Sequence, residues 1–209
     1  MQRTSFIGVA VVAVLALAGC HKNGSNAGKD VRNPGDSAPV NLAQDVAAGP
    51  VGLASAATVG ANTTAGYVTG AAMGDLYEVE AGKIAAQRAK SPDVKAFAEM
   101  MIADHTKSTS ELKTAVATAH AGVTLPTDLD QRRKGMLQNL RAAGDSDFDL
   151  AYLHQQLAAH LEALTIHGGY ADHGDNATLK AVAAKIKPVV EHHIAEIKRI
   201  GGDKLKGGA

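Results

Sequence analysis

From Ala65 to Ile200 the apolar residues recur at helical spacing, and no stretch alternates with the two-residue period of a strand. That single pattern restricts the chain to helix-on-helix packing. Met73, Leu76, Tyr77, Glu80 and Ile84 are predicted to share one helix face. Ser91-Pro92 starts a second helix, with Ser91 as N-cap and Pro92 at the first position. Its stripe is Val94, Phe97, Ala98, Met101, His105 and Leu112, and Gly122 can end it after about His120. Pro126-Thr127-Asp128 opens a shorter helix bearing Leu129, Met136, Leu137 and Leu140, which stops near Gly144.

A fourth segment, 146–173, presents Leu150, Leu153, Leu157, His160 and Leu164. A fifth, from Asn176, presents Leu179, Val182, Ala183, Ile186, Val190, His193 and Ile197, with Pro188 inside it and Gly201-Gly202 at its end. Aromatics make up only 3% of the chain and hydrophobic residues 45%, so the core is aliphatic and Ala-rich, which suits closely approaching helices. The expected domain is all-α, residues 65–201: an antiparallel four-helix bundle with an additional short helix bridging two of the long ones. Residues 202–209 read as a flexible tail.

The N-terminal residues have a different character. Arg3 precedes an apolar run from Phe6 to Ala18 that is too short for a stable membrane span, and Leu17-Ala18-Gly19-Cys20 closes it. The order of Leu, two small residues and Cys resembles the lipobox that directs lipid attachment to the Cys and cleavage before it. Residues 1–19 are then a lipoprotein signal peptide, and Cys20 is the lipidated N-terminus that holds the chain on a membrane. Two or more acyl chains make such an anchor stable, because each buried methylene contributes about 0.8 kcal/mol. His21 follows rather than Asp, which by the same resemblance favours an outer-membrane location facing the periplasm. Residues 20–64, rich in Gly, Ala, Asn, Ser and Pro, read as a disordered tether.

Cys20 is the single cysteine, which excludes an intramolecular disulfide and any CxxC site. Lys plus Arg number 21, as do Asp plus Glu, so no basic field exists for nucleic acid. Gly-rich phosphate loops, GxSxG and HExxH are all missing from the sequence. No catalytic residues are assigned, and the expectation leans away from an enzyme.

Five segments carry a family resemblance: EVEAGKIA at 78–85, FAEMMIADHTKSTSELK at 97–113, GVTLP at 122–126, FDLAYLHQQLAAH at 148–160 and KPVVEHHI at 187–194. In that order and spacing they resemble the bacterial envelope family catalogued as domain of unknown function 4142. The resemblance implies a ferritin-like helical fold and an envelope location, with no established activity. Its recurrent polar positions fall on Glu80, Asp104, His105, Tyr152, His160 and His193.

The helical stripes independently place Glu80, His105, His160 and His193 on apolar faces of four different helices. A polar group facing a core needs a partner, and a Zn, Cu or Fe ion suits imidazoles with one carboxylate. Asp104 and Tyr152 would support such a site. A di-iron centre of the ferritin type needs Glu-x-x-His on two helices, and no Glu in the chain has a His three residues later.

The competing reading is a buried network of Glu and His that fixes helix register without metal. His120, His154, His167, His173 and His192 are expected to be partly solvated, and Met73, Met100 and Met101 to pack in the core. Two functions follow. One is a lipid-anchored, non-catalytic envelope protein serving interaction, structural or stress-related roles. The other is a periplasmic metal-binding or redox protein. The sequence specifies neither a protein partner nor an oligomeric state.

Overall fold

A computed structural model describes residues 38–57 and 62–208. The signal peptide, Cys20 and about half of the expected tether lie outside the described residues. Six α-helices follow in order: α1 (Ala38–Ser55), α2 (Thr64–Arg88), α3 (Pro92–Thr118), α4 (Gln131–Ala142), α5 (Phe148–His173) and α6 (Ala177–Gly201). A 3₁₀ segment, Gly202–Gly208, closes the chain. The described residues contain no strand, and no helix among them is long and apolar enough to cross a membrane.

Local chemistry explains most helix ends. Thr63 Oγ1 accepts from Gly66 N at 3.2 Å, Asp130 Oδ1 from Arg133 N at 2.7 Å, and Asn176 Oδ1 from Leu179 N at 3.1 Å. Ser91 holds the N-cap position of α3 with Pro92 behind it, but its side chain makes no capping bond. The Asp149 carboxylate of α5 instead accepts from Lys90 N and Ser91 N, at 3.0 and 2.8 Å. The expected start of α4 at Pro126 is corrected to Gln131, because Asp130 rather than Asp128 caps it. Pro188 lies within α6 on an exposed face, where the carbonyl it leaves without a donor can reach water.

Four helices form the bundle, with α2 against α3, α3 against α6, α6 against α5 and α5 against α2. Cross-helix bonds give their directions. Tyr67 meets His167 and Tyr77 meets Gln155, so α2 and α5 are antiparallel. Lys185 meets Glu111 and Arg199 meets Asp93, so α3 and α6 are antiparallel too. Because α2–α3 and α5–α6 are hairpins, α3 and α5 run the same way. Residues 119–147, including α4, must therefore return along the length of the bundle as one crossover.

Two expectations need correction. Residues 38–55, read as tether, form α1, which packs on α5 and α4. Part of its grip is polar, which no apolar period can announce: the Asp45 carboxylate accepts from Asn139 Nδ2 at 2.9 Å and Gln155 Nε2 at 2.7 Å. Gly49 allows the close approach, since a Cβ there would lie 3.3 Å from the Ala158 Cβ. The tail is also structured, because Leu205 packs against the core and against Gly201.

Besides a small cluster of Ile186, Val190 and Ile194, the core holds two large apolar clusters separated by a polar layer. One gathers Tyr77, Phe97, Met101, Phe148, Tyr152 and Ile197, and the other Tyr67, Val68, Leu112, Ile166, Tyr170 and Leu179. Met101 is fully buried, as expected for a packing role, while Met100 is partly buried. At Gly82, α2 and α3 touch so closely that a Cβ would lie 2.9 Å from Ile102 Cγ1 and 3.0 Å from the Ala98 carbonyl oxygen.

Candidate metal centre

The stripes predicted for α3 and α6 are buried nearly as expected, with all six α3 positions inside. On α2 the expected face is displaced. Met73, Leu76 and Ile84 are only partly buried, whereas Ala71, Ala72, Asp75, Glu78, Ala81, Gly82 and Ala85 face the interior. Tyr77 of the expected stripe is buried as predicted, but between it and Val68, and again beyond it, small residues line the face where α2 lies against α3 and α5. Glu80 consequently leaves the site: its side chain is 43% exposed and pairs with Lys83 at 2.8 Å. Asp75 and Glu78, which sequence reasoning missed, are the carboxylates that α2 sends inward.

His105 from α3, His160 from α5 and His193 from α6 meet in the polar layer. Their ring centroids are 5.5, 5.6 and 5.2 Å apart, and one nitrogen from each lies within 4.8 Å of the others. All three are buried. His160 and His193 are brought level although a count from the turn near Gly174 puts them about 7.5 Å out of register at 1.5 Å per residue.

Each ring has its outer nitrogen engaged by a group that can only accept. His105 Nδ1 lies 2.8 Å from Asp75 Oδ1, His160 Nδ1 2.8 Å from the Gln156 carbonyl, and His193 Nε2 3.0 Å from Asp104 Oδ2. Those nitrogens therefore carry the protons in the neutral rings, and the inner nitrogens carry lone pairs. His160 Nε2 and His193 Nδ1 then face one another at 3.2 Å, lone pair to lone pair, unless a cation lies between them. His105 Nε2, also buried, has no hydrogen-bond partner.

That donor set fits a metal ion. Two nitrogens bound to one tetrahedral ion at 2.0–2.1 Å are separated by about 3.3 Å, close to the 3.2 Å between His160 and His193. An outer nitrogen donating to a carboxylate or carbonyl is also how metal-bound imidazoles are usually oriented. Thr109 extends the support by donating to Asp75 Oδ2 at 3.0 Å. Asp104 lies beside His193. Tyr152 is buried with its hydroxyl unpartnered, as are Glu78 Oε2 and both polar atoms of the Gln156 side chain.

The electrostatics keep the inner nitrogens of His160 and His193 free and act the other way on His105. Burial, then the neighbouring His105 and His193, hold His160 well below the usual imidazole range. Burial brings His193 down to about 4 against the opposing pull of Asp104. Burial also lowers His105, but the Asp75 bond and charge outweigh it and leave that ring raised. Burial raises the Glu78 carboxyl to about 7, opposed by His105.

His167 is a second correction. Expected to be partly solvated, it is buried, its Nδ1 lies 3.2 Å from the Tyr67 hydroxyl, and burial takes it down to about 4. Of the other four, His120, His173 and His192 are exposed and His154 is partly so.

These shifts set the acid behaviour of the metal-free protein. Below pH 6.5, and down to about 4 for His167 and His193, the unfolded chain protonates these rings and His160 while the folded chain does not, so their contribution is lost as pH falls. Glu78 opposes this, since between about 4.5 and 7 the folded chain alone keeps its proton. The raised His105 opposes it chiefly above 6.5 and the raised Asp45 only above 3.8, while the lowered His154 adds to it, so the lowered imidazoles prevail. Stability should fall by about 1–3 kcal/mol per pH unit on acidification below 6.5. Urea midpoints at pH 7 and pH 5 test this, and a higher midpoint at pH 5 contradicts it.

The family model described as "Domain of unknown function (DUF4142)" matches residues 50–200. The chain belongs to that family. No curated protein and no solved structure matches it. The matched region holds α2 to α6 and with them the whole polar layer of this DUF4142 domain, while α1 lies mostly before it.

Proposed function

We propose that the chain is a lipid-anchored bacterial envelope protein whose helical domain binds one transition-metal ion through His105, His160 and His193. The observation that carries the metal reading is the geometry: three buried imidazoles, each held from outside by an acceptor, bring one nitrogen apiece within 4.8 Å of the others, two of them 3.2 Å apart. Imidazole ligands suit Zn, Cu or Fe, and three protein ligands leave one coordination position open. Glu80, the carboxylate expected from sequence, has no part in the site. Asp75 and Asp104 orient ligands instead. The single crossover supports a ferritin-like arrangement, but the missing Glu-x-x-His pairs argue for one ion rather than two. The lipobox-like Leu17-Ala18-Gly19-Cys20 supports the anchor and the envelope location.

A metal-free network fixing helix register is the second reading. It is favoured only by the Asp75–His105 and Asp104–His193 pairs, which need no ion. One experiment separates the parts: expression of the full chain in a Gram-negative host, fractionation, and metal analysis by mass spectrometry. The wild type should sediment with membranes carrying close to one equivalent of metal. Cys20→Ala should become soluble and keep its metal, and His160→Ala should stay in membranes without it. A wild type that remains metal-free after incubation with Zn²⁺, Cu²⁺ and Fe²⁺ rules out the ion, and a membrane-bound Cys20→Ala rules out the anchor.

A further inference from the structure

On the α2–α5 seam lies a cavity of about 20 Å³ whose walls change character with depth. Half-buried small residues, Gly70, Gly74, Ala159 and Ala163, form its outer part. The buried side chains of Asp75, Glu78 and His105 form its inner part. It therefore runs from the seam to one ring of the three-imidazole site. Glu78 Oε2, with a side chain only 4% exposed, lines it and has no hydrogen-bond partner.

We propose that this cavity delivers one small neutral molecule, of the class of nitric oxide, dioxygen or hydrogen peroxide, to the open coordination position of the ion. The inference rests on the metal reading above and adds what the site takes. Size sets the first limit, because a cavity of this volume holds about one water. Charge sets the second. Asp75, Glu78 and Glu162 line the cavity, and its one Arg, Arg133, is already bonded to Glu162 and Asp130. An anion entering there meets no free cation among the lining residues, since His105 is held by Asp75 and Arg133 by Glu162 and Asp130, and a hydrated metal ion is too large. A neutral molecule with a polar end can accept from or donate to Glu78 Oε2, since Oε1 already lies 3.5 Å from His160 Nδ1 and leaving Oε2 without a partner costs about 1–3 kcal/mol.

Gly74 makes the passage testable. A Cβ built there meets nothing within 4 Å, so a larger side chain on this outer wall can cover the cavity's mouth without displacing backbone. Leaving glycine in a helix interior also favours folding slightly.

The test uses the detergent-solubilised full chain loaded anaerobically with Fe²⁺, with nitric oxide as the neutral probe and azide as the anionic one. Nitric oxide should give the S = 3/2 resonance of an iron–nitrosyl. Gly74→Leu should slow its formation at least tenfold with iron content and helicity unchanged, and Ala163→Leu should do the same from the opposite wall. Azide should leave the resonance and its rate unaltered. Iron-loaded protein that gives no nitrosyl, variants that react at the wild-type rate, or azide that competes as well as nitric oxide binds, each overturns the cavity's role while leaving the ion in place. Failure to retain iron, zinc or copper at all removes the metal reading itself, and this inference with it.

Discussion

Zn²⁺ at about a thousand times its dissociation constant should raise the melting temperature of the wild-type protein by about 8–16 °C. The figure follows from linkage: an ion that binds only the folded state at that concentration contributes about 4.1 kcal/mol. A domain of 150–250 residues moves about 2–4 °C per kcal/mol. Chelator should reverse the shift. His160→Ala should abolish it, because His160 Nε2 and His193 Nδ1 are the two nitrogens already at ligand spacing. Asp75→Asn should keep part of it, since loss of an orienting partner typically weakens metal affinity by about 10–100-fold. Differential scanning calorimetry with and without Zn²⁺ reads all three. An equal Zn²⁺ shift in wild type and His160→Ala would place the bound metal elsewhere, and the three histidines would then be a register-fixing network.

The second large effect concerns how the crossover is held. Glu162 on α5 accepts from Arg133 Nη2 at 2.7 Å and from Arg132 Nη2 at 2.9 and 2.7 Å. The Arg133 and Glu162 side chains are 9% and 8% exposed, so the pair is nearly desolvated. Asp130 also bonds Arg133, but from a position 40% exposed. Removing one partner of a buried ion pair leaves the other charge uncompensated, at about 3–5 kcal/mol. Glu162→Ala should therefore lower the melting temperature by about 6–20 °C. Replacing both partners, Arg133→Met with Glu162→Leu, should recover most of that loss, because a well-packed apolar pair of similar volume is often neutral or stabilising. A Glu162→Ala loss below about 1 kcal/mol in urea would mean that water reaches the arginines and that α4 is held by its apolar face alone, through Met136, Leu137 and Leu140.

How the site could be read from sequence differs from helix to helix. On α3 and α6 the apolar residues are large, and His105 and His193 stand in rows of Phe97, Met101 and Leu112 or of Ile186, Val190 and Ile197. Periodicity alone places those two histidines inside. On α5 it is weaker, since Leu150, Leu157 and Leu164 are only partly buried while Tyr152, Gln155, Gln156 and His167 are inside. On α2 the rule of choosing the bulkiest stripe fails. Met73, Leu76 and Ile84 drew Glu80 with them, yet the inward face is the small one. A signal was present in Ala71-Ala72, Ala81-Gly82 and Ala85, spaced as one stripe around Asp75 and Glu78. Asp75 lies fifteen residues before Lys90 and His105 fifteen after it, so a hairpin turn there brings the two level.

The sequence by itself determined the helical class, the number and order of the long helices, and which histidines of α3 and α6 face inward, because these depend on local spacing and on residues that stop helices. Membership in DUF4142 was legible for the same reason, in segments whose order and spacing are fixed. Only the tertiary structure decided what depends on how closely two helices approach. It turned Glu80 outward and Asp75 and Glu78 inward, drew His160 and His193 to 3.2 Å despite their unequal distances from the turn, and buried His167. It also folded α1 onto the bundle through Asp45, Asn139 and Gln155. These are contacts between residues about 30 to 110 positions apart, and their strength is set by desolvation and packing distance, neither of which a period along one helix contains.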